Sequence, residues 1–408
     1  MTDTTGVCFL SYKRERAEEA KLVVEACRDR GIPIWQDIHD LAHGVTESEL
    51  EKVLESPATA CAVMFVTPEV ERSDVIRETE APMIFGRHLN ADGFFVIPVA
   101  AGGLGYDDVP RVLGPRIGIT NLAAFNILKA PSDPIDTNFA ARLASRALDQ
   151  RLSSVVTALP SEHAVSIQIS TRVALPRETG HELRIDLSHR FNGRLATTGN
   201  WEAFILPAFA DVVATLQRRA SGRPVVLSGF PALPAAVALG AAFLSLGGVK
   251  VSWLQEQQNF GVDAEQWGLH FTPAPCGFVV RTAPQTASGT DIALLVSATT
   301  DVTDDFNRSR EGLALRAIVH VAPPAPRPAR MHLGPGEARD LACLAIDALK
   351  AAWTKYGTRG TVHLFLAVPA GVAFMIGQQL NTFATVQTYE HVPGAMPYQA
   401  AALLQPSI

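Results

Sequence analysis

Apolar and polar positions along residues 1–154 fall into blocks that read strand, helix, strand, helix. Short apolar runs at 6–10, 32–36, 61–66 and 94–99 have the length and residue types of buried strands. Between and after them, segments 14–29, 46–55, 73–86 and 138–152 carry helical patterning. This rhythm predicts a parallel sheet covered by helices on both faces. Groups that act on a ligand gather at the carboxyl ends of strands in such sheets. Ser11, Tyr12, Asp37 and Thr67 each follow a strand and are expected on one rim.

The stretch Ala130-Pro131-Ser132-Asp133-Pro134 opens the last helix of this region, and Leu159-Pro160-Ser161-Glu162-His163 marks a boundary, giving expected domains at 1–154 and 160–408. The second begins with Val165-Ser166-Ile167-Gln168-Ile169-Ser170, which alternates like a strand. It holds a weak repeat. Pro224–Gly229 leads to Pro234–Gly240, and Thr361–Leu366 leads to Pro369–Phe374. Each copy is an apolar strand, a proline turn and a helix of small residues. Proline suits the first helical turn. The small residues either let a ligand reach the helix amides, which attract anions, or simply allow close packing on the sheet. Pro323–Pro328 reads as a stiff connector.

Composition narrows the function. The chain has 408 residues and is 47% hydrophobic, which suits two or three folded domains. Residues 1–154 carry 16 basic and 23 acidic side chains, and residues 155–408 carry 19 and 18. Neither part has the basic field that long DNA or RNA demands. In the second part only Lys250, Lys350 and Lys355 are lysines; the arginine bias fits a phosphate-bearing ligand, and GC-rich codon usage explains it equally well. The five cysteines are scattered without a Cys-x-x-Cys pair, and no basic segment followed by an apolar stretch opens the chain, so a cytoplasmic protein is expected. Two charge-free windows, 224–249 and 360–389, are long enough to span a bilayer, but prolines and glycines make both read as a buried strand, turn and helix. His39 and His43 have the spacing of a helical metal pair; Gly44 and the lack of a third ligand argue against a metal site.

The opening Val7-Cys8-Phe9-Leu10-Ser11-Tyr12-Lys13-Arg14, followed by Gly31-Ile32-Pro33-Ile34-Trp35-Gln36-Asp37, resembles the start of a TIR domain. Residues 160–408 resemble the SAVED domain. The resemblance rests on Asp186-Leu187-Ser188, Phe191-Asn192-Gly193-Arg194, Trp201, Leu294–Thr300, Leu364–Ala370, Val386–Glu390 and Tyr398–Ala401. Together they look like a TIR-SAVED effector of bacterial anti-phage (CBASS) immunity. The resemblance implies a flavodoxin-like TIR domain with a parallel sheet, then two fused CARF/Rossmann-like halves. It implies that a cyclic oligoadenylate, by family habit cyclic triadenylate, drives assembly into an oligomer or filament. Assembled TIR domains would then cleave NAD+ to nicotinamide and ADP-ribose. NAD is the substrate and the cyclic oligonucleotide the activator, with no resident cofactor. The alternatives are a TIR scaffold that recruits another effector, and a membrane-disrupting protein.

Cleaving the nicotinamide bond forms an oxocarbenium-like ribose, which a carboxylate stabilises. Nicotinamide departs as a neutral molecule and needs no acid. TIR enzymes place a Glu on the helix after the third strand, here within Ser73–Pro82, with Val75 where Trp is common. Glu80 fits the Glu-x-Pro pattern and shares a helical face with Ile76 and Ile84; Glu78 is the other candidate and falls on another face. The resemblance implies that Phe9, Ser11, Tyr12, Trp35 and Asp37 contact NAD, and that loop 37–45 meets a neighbouring TIR domain. Trp35 is either a stacking surface for adenine or nicotinamide or a core residue. For the cyclic nucleotide, Ser297 and Thr299 offer hydroxyls and Pro369 and Ala370 a helix start. Arg194, Trp201, Phe306 and Tyr389 offer charge or stacking surfaces.

Overall fold

Val7–Ser11 forms strand β1 in the computed structural model, followed by β2 (Ile34–Trp35), β3 (Thr59–Val66), β4 (Phe95–Ala100) and β5 (Leu128–Lys129). The structure describes residues 2–36, 47–90, 92–117, 125–176, 180–244, 249–257, 262–324, 332–358, 360–383 and 385–405. Asp37 and loop 37–45, with His39, His43 and Gly44, therefore lie outside the described residues, as do residues 325–328 of the proline-rich stretch.

The five strands pair in the order β2-β1-β3-β4-β5, every neighbouring pair parallel. This is a doubly wound order, in which the chain reverses direction across the sheet between β1 and β3 and leaves a crevice outside their carboxyl ends. The helices are α1 (Ala17–Asp29), α2 (Glu47–Glu55), α3 (Ala81–Leu89), α4 (Asp108–Leu113) and α5 (Thr137–Ala158). Alternation along β1 sends side chains to two cores. Phe9 joins Trp35, Met64, Ile84 and Phe85 on one face. Cys8 faces the other way, near Cys27 of α1 and Arg151 of α5, and its contact with the Cys61 side chain, together with burial, pushes its thiol pKa up. β5 and α4 escaped the sequence reading because two and six residues are too few for a periodic signal.

Contacts divide the chain into two compact units. One is residues 1–167 with 175–186 and 214–220; the other is 168–174, 187–213 and 221–408. Buried polar bonds explain why 175–186 belongs with the first. The Arg151 guanidinium donates to the Glu182 carbonyl at 2.7 Å and to that of Gly6 at 2.8 Å. The Arg184 amide donates to the Gly31 carbonyl at 2.8 Å, and Arg28 meets Asp186 at 2.6 Å. Gly31 has φ +83°, and a Cβ there would lie 2.9 Å from that of Leu183.

Beyond residue 160 come β6 (Val165–Ser170), β7 (Leu183–Asp186), the hairpin β8 (Phe191–Asn192) and β9 (Leu195–Ala196), α6 (Leu206–Arg219), β10 (Val225–Phe230), α7 (Leu233–Ala242), β11 (Val251–Gln257) and β12 (Val262–Trp267). Then follow β13 (Val279–Pro284), β14 (Asp291–Ser297), α8 (Thr303–Ser309), β15 (Leu315–Ala322), α9 (Pro335–Tyr356), β16 (Val362–Ala367), α10 (Ala370–Gly377), β17 (Val386–His391) and β18 (Tyr398–Leu404). They make a sheet β12-β11-β10-β6-β7 and a sheet β13-β15-β14-β16-β17-β18. The repeat read in the sequence is β10–α7 and β16–α10, one copy in each sheet.

Helices α7 and α10 pack directly on each other. A Cβ on Gly240 would sit 2.1 Å from the Phe374 carbonyl oxygen, and one on Gly377 would sit 2.2 Å from that of Val237. The small residues are thus an approach surface for backbone, which decides between the two uses the sequence left open for this part of each helix. The described parts of the two apolar windows hold strand–helix units, β10–α7 and β16–α10, and among the described residues no helix is long and apolar enough to cross a membrane.

Candidate active site and ligand rim

Ser11 ends β1 and is 1% exposed; Glu80 lies just before α3 and is 8% exposed. The Ser11 hydroxyl donates to Glu80 Oε2 at 2.5 Å. A local irregularity turns Glu80 inward. Residues Val75–Glu80 form a π-helical turn, with the Ala81 amide donating to the Ile76 carbonyl, five residues back. Pro82 explains it. Proline has no N–H to give and its ring collides with the carbonyl four residues back, so the turn widens ahead of it. Ile76, Thr79 and Glu80 are buried, whereas Val75 is exposed. Glu78 points outward, is 37% exposed at its side chain and pairs with Arg116. The two candidate carboxylates are therefore in different surroundings, and Glu80 is the one brought against the end of β1.

The other candidates of this rim divide. Phe9 and Trp35 are both buried and stack on each other with ring centroids 5.0 Å apart and planes 17° apart. Each ring gives one face to the other within the core, which corrects the expectation of Trp35 as an open platform for a base. Tyr12 is half-buried just beyond Ser11. Arg16 follows on the same side but is held by Glu19 at 3.0 Å, Glu69 at 2.9 Å and Asp133 at 2.5 Å. These carboxylates raise its pKa against the desolvation that opposes them, and they consume its charge locally. Among the described residues no cluster of His, Cys, Asp and Glu could hold a metal ion.

In the second unit the predicted aromatics pack on other rings. Phe306 is buried and meets Phe365 edge-on at 4.9 Å, Tyr389 stacks on Phe365 at 4.2 Å, and Trp201 is buried against the edge of Phe191 at 5.9 Å. The Tyr389 hydroxyl lies 2.8 Å from His363 Nδ1, and burial pushes its pKa up to about 12. Phe306 and Trp201 are buried, and Tyr389 is half-buried with one face on Phe365. Ser297 is buried, 2.8 Å from His320 Nε2, and accepts from the Val302 amide at 3.2 Å. Thr299 is exposed beyond it, its amide bonded to the Ala367 carbonyl at 2.8 Å. Pro369 and Ala370 are half-buried at the start of α10, where the Gly371 amide donates to the Gln255 side chain at 3.1 Å. A Cβ on Gly371 would lie 3.0 Å from the Trp267 ring, so here too the small residue serves packing.

Sequence reasoning missed the exposed rim past β6 and β10. Phe230 is 69% exposed and Val173 72%. Gly229, at φ +115°, lets β10 approach β6, because a Cβ there would be 2.1 Å from the Ile169 carbonyl oxygen. The Thr171 hydroxyl accepts from the Ala232 amide at 2.8 Å, tying the two loops. The Ser170 hydroxyl donates to the Val173 carbonyl at 2.6 Å and turns that loop outward. Arg172 donates to Glu390 of β17 at 2.6 Å, and Arg194 donates to the next carbonyl, that of His391, at 3.0 Å. Glu390 is buried, and desolvation pushes its pKa up to about 7 against the pull of Arg172 and Arg194.

Two mixed sheets, each with parallel strands at its centre and a copy of the strand–helix unit, build the C-terminal part, with α7 and α10 packed on each other. Its sequence from residue 206 to 404 matches the family SAVED, the "SMODS-associated and fused to various effectors sensor domain". Residues 206–404 carry a SAVED domain. No curated protein matches the chain. Among solved structures, an Acinetobacter baumannii Cap4 SAVED/CARF-domain containing receptor with the cyclic trinucleotide 3'3'3'-cAAA is 12% identical, with a TM-score of 0.51, over 89% of this chain and 87% of that one. The same receptor with 2'3'3'-cAAA is 13% identical, again with a TM-score of 0.51 over 89% and 87%. At that identity the likeness is one of fold. The first unit is a doubly wound α/β sheet with a buried carboxylate, Glu80, at the carboxyl end of β1.

Proposed function

We propose that this chain is a cyclic-oligonucleotide-gated NAD+ glycohydrolase of the CBASS type, with a TIR-like first unit as the enzyme and the SAVED domain as the sensor. Two observations support the sensor half: the SAVED match, and the cAAA named in the solved receptors of like fold. The observation that carries the enzymatic half is Glu80, buried and bonded to Ser11 beside the crevice at the carboxyl ends of β1 and β3.

The chemistry follows from the charge involved. As the bond between ribose C1′ and the nicotinamide nitrogen breaks, its electron pair leaves with nicotinamide and positive charge develops on the ribose. The Glu80 carboxylate stabilises that charge without transferring a proton to the leaving group. Water then attacks C1′ and loses a proton, giving ADP-ribose. A low-dielectric setting strengthens the attraction, which suits a carboxylate shielded as Glu80 is. The sensor's role is to bring first units of different copies together, so that the free chain is nearly inactive.

The test is NAD+ consumption by the purified chain, with and without a panel of cyclic oligonucleotides, each assay paired with light scattering. Ligand-dependent cleavage that disappears in Glu80→Gln supports the reading. Assembly without cleavage replaces it with the scaffold alternative, and no response to any ring overturns it.

A further inference from the structure

The Arg172–Glu390 pair joins the loop after β6, in one half-sheet, to β17 in the other. Its members are unequal. The Arg172 side chain is 38% exposed and can turn to a ligand, whereas that of Glu390 is 6% exposed and cannot follow. Among the described residues Arg172 is the donor to this carboxylate. Arg194 lies near enough to act on it, Tyr398 of β18 feels its charge, and His391 beside it is paired with Asp305 at 2.7 Å. The exposed Phe230 and Val173 stand on the loops next to Arg172. An aromatic face beside an arginine suits a base with its phosphate.

We propose that Arg172–Glu390 is a proton-coupled latch: a phosphodiester seated on this rim draws the Arg172 guanidinium off Glu390, and the carboxylate left behind takes one proton from solvent. The charge balances, since one anion and one proton enter together. The reason is desolvation. A buried carboxylate that loses its cation is strongly disfavoured in the charged form and neutralises instead. The near-neutral titration of Glu390 in the paired state agrees. Binding therefore weakens as pH rises above neutrality, and it releases one contact between the two half-sheets.

This inference rests on the sensor reading, and the experiment separates the two. Cyclic triadenylate is titrated into the full chain by calorimetry at about pH 8, in buffers of different ionisation enthalpy. Linkage predicts an uptake approaching one proton per site. Glu390→Gln should bind without uptake and with a Kd insensitive to pH. Arg172→Ala, whose carboxylate is unpaired and protonated beforehand, should also show no uptake. Binding without uptake in the native chain, or uptake that persists in Glu390→Gln, overturns the latch and leaves the sensor intact. If no binding is seen to cyclic triadenylate or to the other rings of the panel, both fall.

Discussion

Ser11 and Glu80 stand 69 positions apart in sequence, yet the serine hydroxyl donates to the carboxylate at 2.5 Å. The bond fixes one oxygen of Glu80 at the carboxyl end of β1. Electrostatic groups of this kind contribute about 100- to 1,000-fold to turnover. Glu80→Gln should therefore lose at least about 100-fold in ligand-stimulated NAD+ cleavage. Glu78→Gln, which breaks only the pair with Arg116 at the surface, should stay within about twofold, as exposed pairs contribute little. Initial rates of nicotinamide release decide between them.

The helix crossing predicts a stability loss with no chemistry involved. Alanine at Gly240 or Gly377 drives a methyl into a backbone carbonyl of the opposite helix. Overpacking of this kind costs about 1–3 kcal/mol. Thermal unfolding of the full chain should shift down in each variant by about 2–4 °C per kcal/mol.

Aromatic residues of the second unit should separate by role. Phe306→Ala removes a buried ring and should cost about 3–5 kcal/mol of stability. Phe230→Ala touches an exposed ring and should leave unfolding within about 0.5 kcal/mol. On the proposed function it should instead weaken cyclic triadenylate binding about 5- to 100-fold, the worth of one stacked base. Calorimetric titration beside a melting curve reads both.

Glu390 makes a prediction about pH. Its folded pKa, about 7, lies above the ordinary carboxylate value of 4.5. The folded state thus holds the proton more tightly than the unfolded chain. The resulting contribution to stability is whole below about pH 4, where both states are protonated, and is lost as pH rises through 7. Its size is on the order of 3 kcal/mol. Groups such as Asp149 and Asp305, whose pKa values are lowered by arginine partners, act in the opposite sense in acid. The measurement is therefore the difference between native and Glu390→Gln denaturation midpoints, which should shift in favour of the variant between pH 5 and 8.

The strands of the first sheet were legible because each is a short, continuous apolar run, and the carboxyl-edge position of Ser11 followed from their order. Glu80 was legible through Pro82, although its burial depends on a π turn that helical spacing does not foresee. The packing of the predicted aromatics was not legible, for a common reason. Local sequence does not distinguish a ring that packs on a neighbour, as Phe306, Tyr389, Trp201 and Trp35 do, from one that meets solvent. Phe230 was overlooked for the converse reason: its exposure is a tertiary fact that the residues around it do not signal. Arg172 and Glu390 lie 218 positions apart, and nothing local marks them as partners.

The reciprocal contact of Gly240 with the Phe374 carbonyl and Gly377 with the Val237 carbonyl has an evolutionary reading. Each glycine guards the backbone next to the other, so neither position can drift alone. A lineage that gained a side chain at one would have to move both helices apart. Relatives should accordingly keep the two glycines together or replace them together, and a sequence with one replaced should show compensating change along the same seam.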